Sequence, residues 1–164
     1  ECFFAQERKS PLETCPRPSF AAVSETCDGE MTRLSDLQKI PVTLHGATNE
    51  LELALGRGAG IFDDATFAFA KKYADKFICR KHLDELVRKW DQFRYHHSKR
   101  AHTTRGQKTV CGLDHDRSIV LGQRVTMNHL TKEMAHYYLV NYHKLLPIGL
   151  PICDAHSDLK KPVE

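Results

Sequence analysis

The chain has 164 residues, 41% hydrophobic and 27% charged. That balance excludes a disordered polyelectrolyte, and a chain of this length can bury roughly 70% of its unfolded surface without covalent staples. No apolar run approaches the ~20 residues needed to cross a bilayer. The formal net charge of +3 is not spread evenly: nine Lys or Arg face three acids between Arg80 and Lys108, so that segment carries +6 and the rest carries −3. The first residue is Glu1 rather than Met, which reads as a processed product or a piece cut from a longer protein.

Residues 1–30 are rich in Pro, Ser, Thr and Cys and show no helical period. Pro11, Pro16 and Pro18 keep that backbone extended or turning, as in a segment that wraps a core or ties itself to a metal. A short helix or strand follows over 31–37, then a strand-like run over 40–44. Gly56, Gly58 and Gly60 then predict a flexible loop; their spacing is not that of a dinucleotide fingerprint. Asp63 or Asp64 is placed to cap a helix reaching Lys76, with Phe67, Ala70, Ala74 and Phe77 on one face.

A second helix is expected from Lys81 to Tyr95, with Leu83, Leu86, Val87 and Trp90 inward. Beyond it, to Lys108, the chain is basic and His-rich, like a linker. A hairpin turning at Gly122 fits 118–126. Thr131 is expected to cap a last helix to Leu146, with Met134, Tyr138, Tyr142 and Leu145 inward and Pro147 as the stop. The expected class is α+β, mainly helical, built as two related zinc-stabilised modules packed together or joined by a basic helix and linker. The first module with its basic helix spans 1–95, the linker 96–108 and the second module 109–164.

The two modules emerge from a repeat. Ile78-Cys79-Arg80-Lys81-His82-Leu83-Asp84 and Ile152-Cys153-Asp154-Ala155-His156-Ser157-Asp158 hold Ile, Cys, His and Asp at the same offsets. Six cysteines could form three disulfides in a secreted protein, but ten His accompany them, and Cys rising together with His favours Zn²⁺. A structural zinc site takes two close ligand pairs. Cys153 and His156 would join Cys111 and His115. Cys79 and His82 would join Cys15 and Cys27, with Cys2 or His45 able to replace either.

A Cys pair followed at long range by a terminal Cys-x-x-His resembles the THAP-type C2CH zinc module, here in tandem over Cys111 to His156 and Cys15 to His82. His115 stands where that family has a second Cys, and the Pro-containing box after the last His is absent. The resemblance implies a DNA-binding fold. The basic segment agrees with it: Arg88, Lys89, Arg94, Lys99, Arg100, Arg105 and Lys108 could neutralise phosphates, with Trp90, Phe93 and Tyr95 among them.

The expected function is therefore a non-catalytic zinc finger protein of the nucleus. It would bind nucleic acid, DNA before RNA, or protein partners in a regulatory complex of transcription. Three other readings stay open. One is a protein-interaction scaffold. Another is a ββα-metal (HNH-like) nuclease using His115, with Asp114, Asp116, Asn128 and His129 around it. The third is a secreted disulfide-bonded protein.

Overall fold

A computed structural model describes residues 1–7, 26–62, 72–90, 127–153 and 157. Helices and short two-stranded sheets alternate through it, giving an α+β fold. The elements are α1 (Phe3–Glu7), β1 (Met31–Arg33), α2 (Leu34–Leu37), β2 (Pro41–Leu44), β3 (Ala47–Asn49) and α3 (Glu50–Gly58). After them come β4 (Phe77–Cys79), α4 (Arg80–Leu83) running into a π-helical turn at Asp84–Arg88, β5 (Met127–His129), α5 (Lys132–Tyr142) and β6 (Pro151–Cys153). Among the described residues no helix is long and apolar enough to cross a membrane.

Two of the sheets share one pairing register. In β1–β4, antiparallel pairing sets Met31 opposite Cys79, Thr32 opposite Ile78 and Arg33 opposite Phe77. In β5–β6 it sets Met127 opposite Cys153, Asn128 opposite Ile152 and His129 opposite Pro151. The next hydrogen bond is also copied: the Leu34 amide donates to the Lys76 carbonyl at 2.9 Å, and the Leu130 amide to the Leu150 carbonyl at 2.8 Å. Ile78, Ile152, Leu34 and Leu130 are all fully buried, so both sheets bury apolar side chains at matching positions.

Helix α3 contributes to two apolar cores. Asn49 caps it by accepting from the Glu52 amide, and residues 50–57 are all buried. Leu51, Ala54 and Leu55 pack in a first core with Phe3, Phe4, Leu34, Ile78 and Leu83, while Leu53 packs in a second with Leu130, Met134, Ile148 and Ile152. Arg57 bridges them: its Nε donates to the Ile148 carbonyl at 2.9 Å and its Nη1 to the Leu86 carbonyl at 2.8 Å. A buried ion pair, Lys132 to Glu52 at 3.2 Å, ties α5 to α3.

Several expectations change in the folded chain. Phe3–Glu7 is a helix although no period announces it; Phe3 and Phe4 are both buried, and that contact holds the short turn in place. Gly56 and Gly58 lie inside α3 rather than in a loop. A Cβ at Gly56 would come within 2.4 Å of Ile148, and one at Gly58 within 2.3 Å of the Phe4 ring, so close packing is what these glycines serve. Phe77 belongs to β4, not to a helix face.

The basic helix ends in the π turn at Arg88, so Trp90 follows it and packs against the first core from outside. The Thr131 cap forms as expected, accepting from the Met134 amide, but α5 stops at Tyr142, where His143 adopts a left-handed conformation at φ 52°. Tyr142 is consequently 47% exposed rather than inward. The expected 63–76 helix lies largely, and the 118–126 hairpin wholly, outside the described residues.

Candidate metal centre

Three segments far apart in sequence meet at His82. The first is the N-terminus. Cys2 forms an isolated bridge with Phe77, Phe3 meets Tyr73 edge-on and Phe4 meets the His82 ring, so α1 is seated on β4 and delivers the Cys2 thiol. The second is 26–30, held by the Arg80 amide donating to the Glu30 carbonyl at 2.9 Å, by an Arg80–Glu30 ion pair at 3.0 Å and by a Lys81–Thr26 hydrogen bond. It delivers Cys27. The third is the β4–α4 junction, where Cys79 ends the strand and caps the helix. Its sulfur accepts from the His82 amide at 3.4 Å, which fixes both side chains of the Cys-x-x-His pair on one side of the turn.

The ligand atoms of Cys2, Cys27, Cys79 and His82 all lie within 4.8 Å of one another. The three sulfurs surround one ring nitrogen: Nδ1 of His82 is 3.2 Å from Cys2 Sγ, 3.2 Å from Cys79 Sγ and 3.8 Å from Cys27 Sγ. One N–H cannot serve three sulfurs. A tetrahedral Zn²⁺ with its usual bond lengths would set sulfur and nitrogen about 3.6 Å apart, which these separations bracket. The Cys79 amide donates to Cys2 Sγ at 3.3 Å, giving that sulfur the backbone support metal-bound thiolates use.

The thiols also affect one another's ionisation. Burial pushes Cys2 up, but hydrogen bonds from His82 and from the Cys79 and Phe4 amides outweigh it and bring the thiol down to about 6. Cys27 moves the other way, to about 11, through desolvation and then the charges of Cys2 and Cys79. The donor set of three Cys and one His is consistent with zinc, and four protein ligands would leave no open position for a reacting water.

Three of the four residues expected for this site are described: Cys27, Cys79 and His82 come together, and Cys2 takes the corner assigned to Cys15, which lies outside the described residues. His45, the other proposed substitute, is elsewhere, stacked on His129 with ring centroids 4.7 Å apart. Of the second expected site, Cys153 is buried at the end of β6, and Cys111, His115 and His156 lie outside the described residues.

Arg88 and Lys89 close the π turn, whereas Arg94, Lys99, Arg100, Arg105 and Lys108 lie outside the described residues. Of the nuclease pattern, Asn128 and His129 sit on β5, while Asp114, His115 and Asp116 are likewise outside. No protein-family model, curated protein or solved structure matches the chain.

Proposed function

We propose that the chain is a zinc-stabilised, non-catalytic module that binds nucleic acid, DNA before RNA, or a chromatin partner in nuclear transcription regulation. The observation that carries this reading is the Cys2–Cys27–Cys79–His82 cluster, which has the donor set of a structural metal site. The reading extends to two modules. Cys153 holds in β5–β6 the register that Cys79 holds in β1–β4, which supports a second site made by Cys111, His115, Cys153 and His156.

The nucleic-acid half of the reading draws on a polar cleft of about 330 Å³ beside the cluster, lined by Thr32, Arg80, Arg88 and Lys89 with the acids Glu30 and Asp84. Arg80 pairs with Glu30 at 3.0 Å and Lys89 with Asp84 at 2.9 Å, both cations largely exposed. Exposed ion pairs contribute little to stability, so a phosphate can replace a carboxylate at either cation.

Zinc per chain, measured by elemental analysis of unchelated protein, tests the metal; anisotropy of a labelled DNA duplex across a salt series tests the partner. Two zinc ions support both modules, and one supports the first alone. Affinity that falls linearly with the logarithm of salt concentration supports phosphate contact. A chain with no zinc sinks the module reading, and no binding to duplex or single strand at low salt leaves a protein-interaction scaffold.

A further inference from the structure

The four corners of the cluster are not equally protected. Cys2, Cys79 and His82 are buried at 1% exposure or less, whereas Cys27 is exposed. A thiolate reacts with an oxidant according to its access as well as its charge. We propose that Cys27 is an oxidation site, through which hydrogen peroxide converts the cluster from a metal-holding to a disulfide state; this rests on the metal reading above.

With the metal in place of its proton Cys27 is a thiolate, and its sulfur attacks one oxygen of the peroxide: the O–O bond breaks, hydroxide leaves and the sulfur becomes a sulfenic acid. A buried thiolate of the same cluster, Cys2 or Cys79, then attacks that sulfur. Both sulfurs lie within 4.8 Å of Cys27 Sγ, so the step needs local movement only. The S–S bond forms, the S–O bond breaks and a second hydroxide leaves. Two electrons have passed from two sulfurs to one peroxide, and the metal, having lost two ligands, leaves as a divalent cation.

The direction of attack follows from the fold. Cys79 is enclosed by strand pairing with Met31, and Cys2 is covered by α1, whose Phe3 and Phe4 are buried. Loss of the metal would remove the tie through which Cys2 anchors α1 to the β4–α4 junction. Oxidation at one exposed atom would thereby loosen the N-terminus from the first core.

The full chain, loaded with zinc, is treated with one equivalent of hydrogen peroxide. Released zinc is followed with a chromogenic chelator, and disulfides are mapped by mass spectrometry after alkylation. The expected result is zinc release accompanied by a Cys27–Cys2 or Cys27–Cys79 bond. In Cys27→His, where imidazole can replace the thiolate as ligand, release should slow about tenfold.

A Cys2–Cys79 bond with Cys27 alkylated overturns the proposal, as does a bond from Cys27 to Cys15, Cys111 or Cys153, or zinc kept with Cys27 unmodified. Should Cys27→His not hold zinc, the wild-type map decides alone. A chain with no zinc before peroxide fails the metal reading instead, and the same map on its free thiols still shows whether Cys27 is attacked.

Discussion

Arg57 lays its guanidinium over the Trp90 ring, 4.1 Å from the centroid, while its nitrogens hold the carbonyls of Leu86 and Ile148. One buried cation thus fixes the π turn of the first core to the chain entering β6 of the second. Replacing it with Met would leave two buried carbonyls without this donor. A loss of about 3 kcal/mol is expected, and about 2 kcal/mol for Lys, which cannot reach both oxygens from one planar group. Urea denaturation should show a lower midpoint at an unchanged slope; an unshifted midpoint would mean that the bridge carries no weight.

Zinc should depend on Cys2 and not on Cys15. Cys2→Ser and Cys79→Ser are each expected to lose the zinc of the first site and, with it, stabilisation on the order of 10 kcal/mol; a chelator should strip that site in the unmodified chain as well. Cys15→Ser should keep its zinc. Elemental analysis and thermal melts of the three variants separate the outcomes, and zinc lost from Cys15→Ser with Cys2→Ser intact would reassign the corner.

Stability should fall in mild acid through His45. Burial, then the neighbouring His129 and Arg57, holds its imidazole down at about 4 in the folded chain against the ordinary 6.5. The folded state therefore binds fewer protons than the unfolded state between those values. Stability is retained above pH 6.5 and lost as pH falls towards 4, by about 2 kcal/mol after allowance for partial exposure. His45 has φ 53°, a conformation Asn tolerates, so His45→Asn should flatten this part of the profile without straining the backbone. The readout is the difference in unfolding free energy between the two proteins across pH, because zinc ligands titrate in both.

Gly58→Ala should destabilise although alanine favours a helix by about 1 kcal/mol. Its Cβ would meet Phe4 at 2.3 Å and Leu86 at 2.8 Å, and overpacking of that kind costs about 1–3 kcal/mol. Because Phe4 seats α1, the variant should also release zinc to a chelator faster than the wild type. A more stable Gly58→Ala with unchanged zinc release would contradict the packing.

Local chemistry along the chain was enough to expect several features. Cys79 and His82 are one turn apart, so their convergence needs no distant partner. Thr131 caps α5 through its own hydroxyl, and the strand-like run over 40–44 contains β2. The matching Ile-Cys units pair in the same register with Met31-Thr32-Arg33 and Met127-Asn128-His129, segments that also share Met and Leu three apart in the sequence.

Tertiary structure decided the rest. Which cysteine completes the first site depends on α1 folding back onto β4 across more than seventy residues, a closure that ligand spacing does not encode. Gly56 and Gly58 read as loop formers by propensity, yet they lie in a helix because Ile148 and Phe4, remote in sequence, come too near for any side chain. Tyr142 fits an inward stripe until His143 turns left-handed and ends the helix, leaving the ring at the surface. The sequence by itself determined the local turns, caps and ligand types, because their energies act between neighbours. Contact between distant segments determined the ligand set and the close-packed glycines, because steric fit and metal geometry exist only once those segments have met.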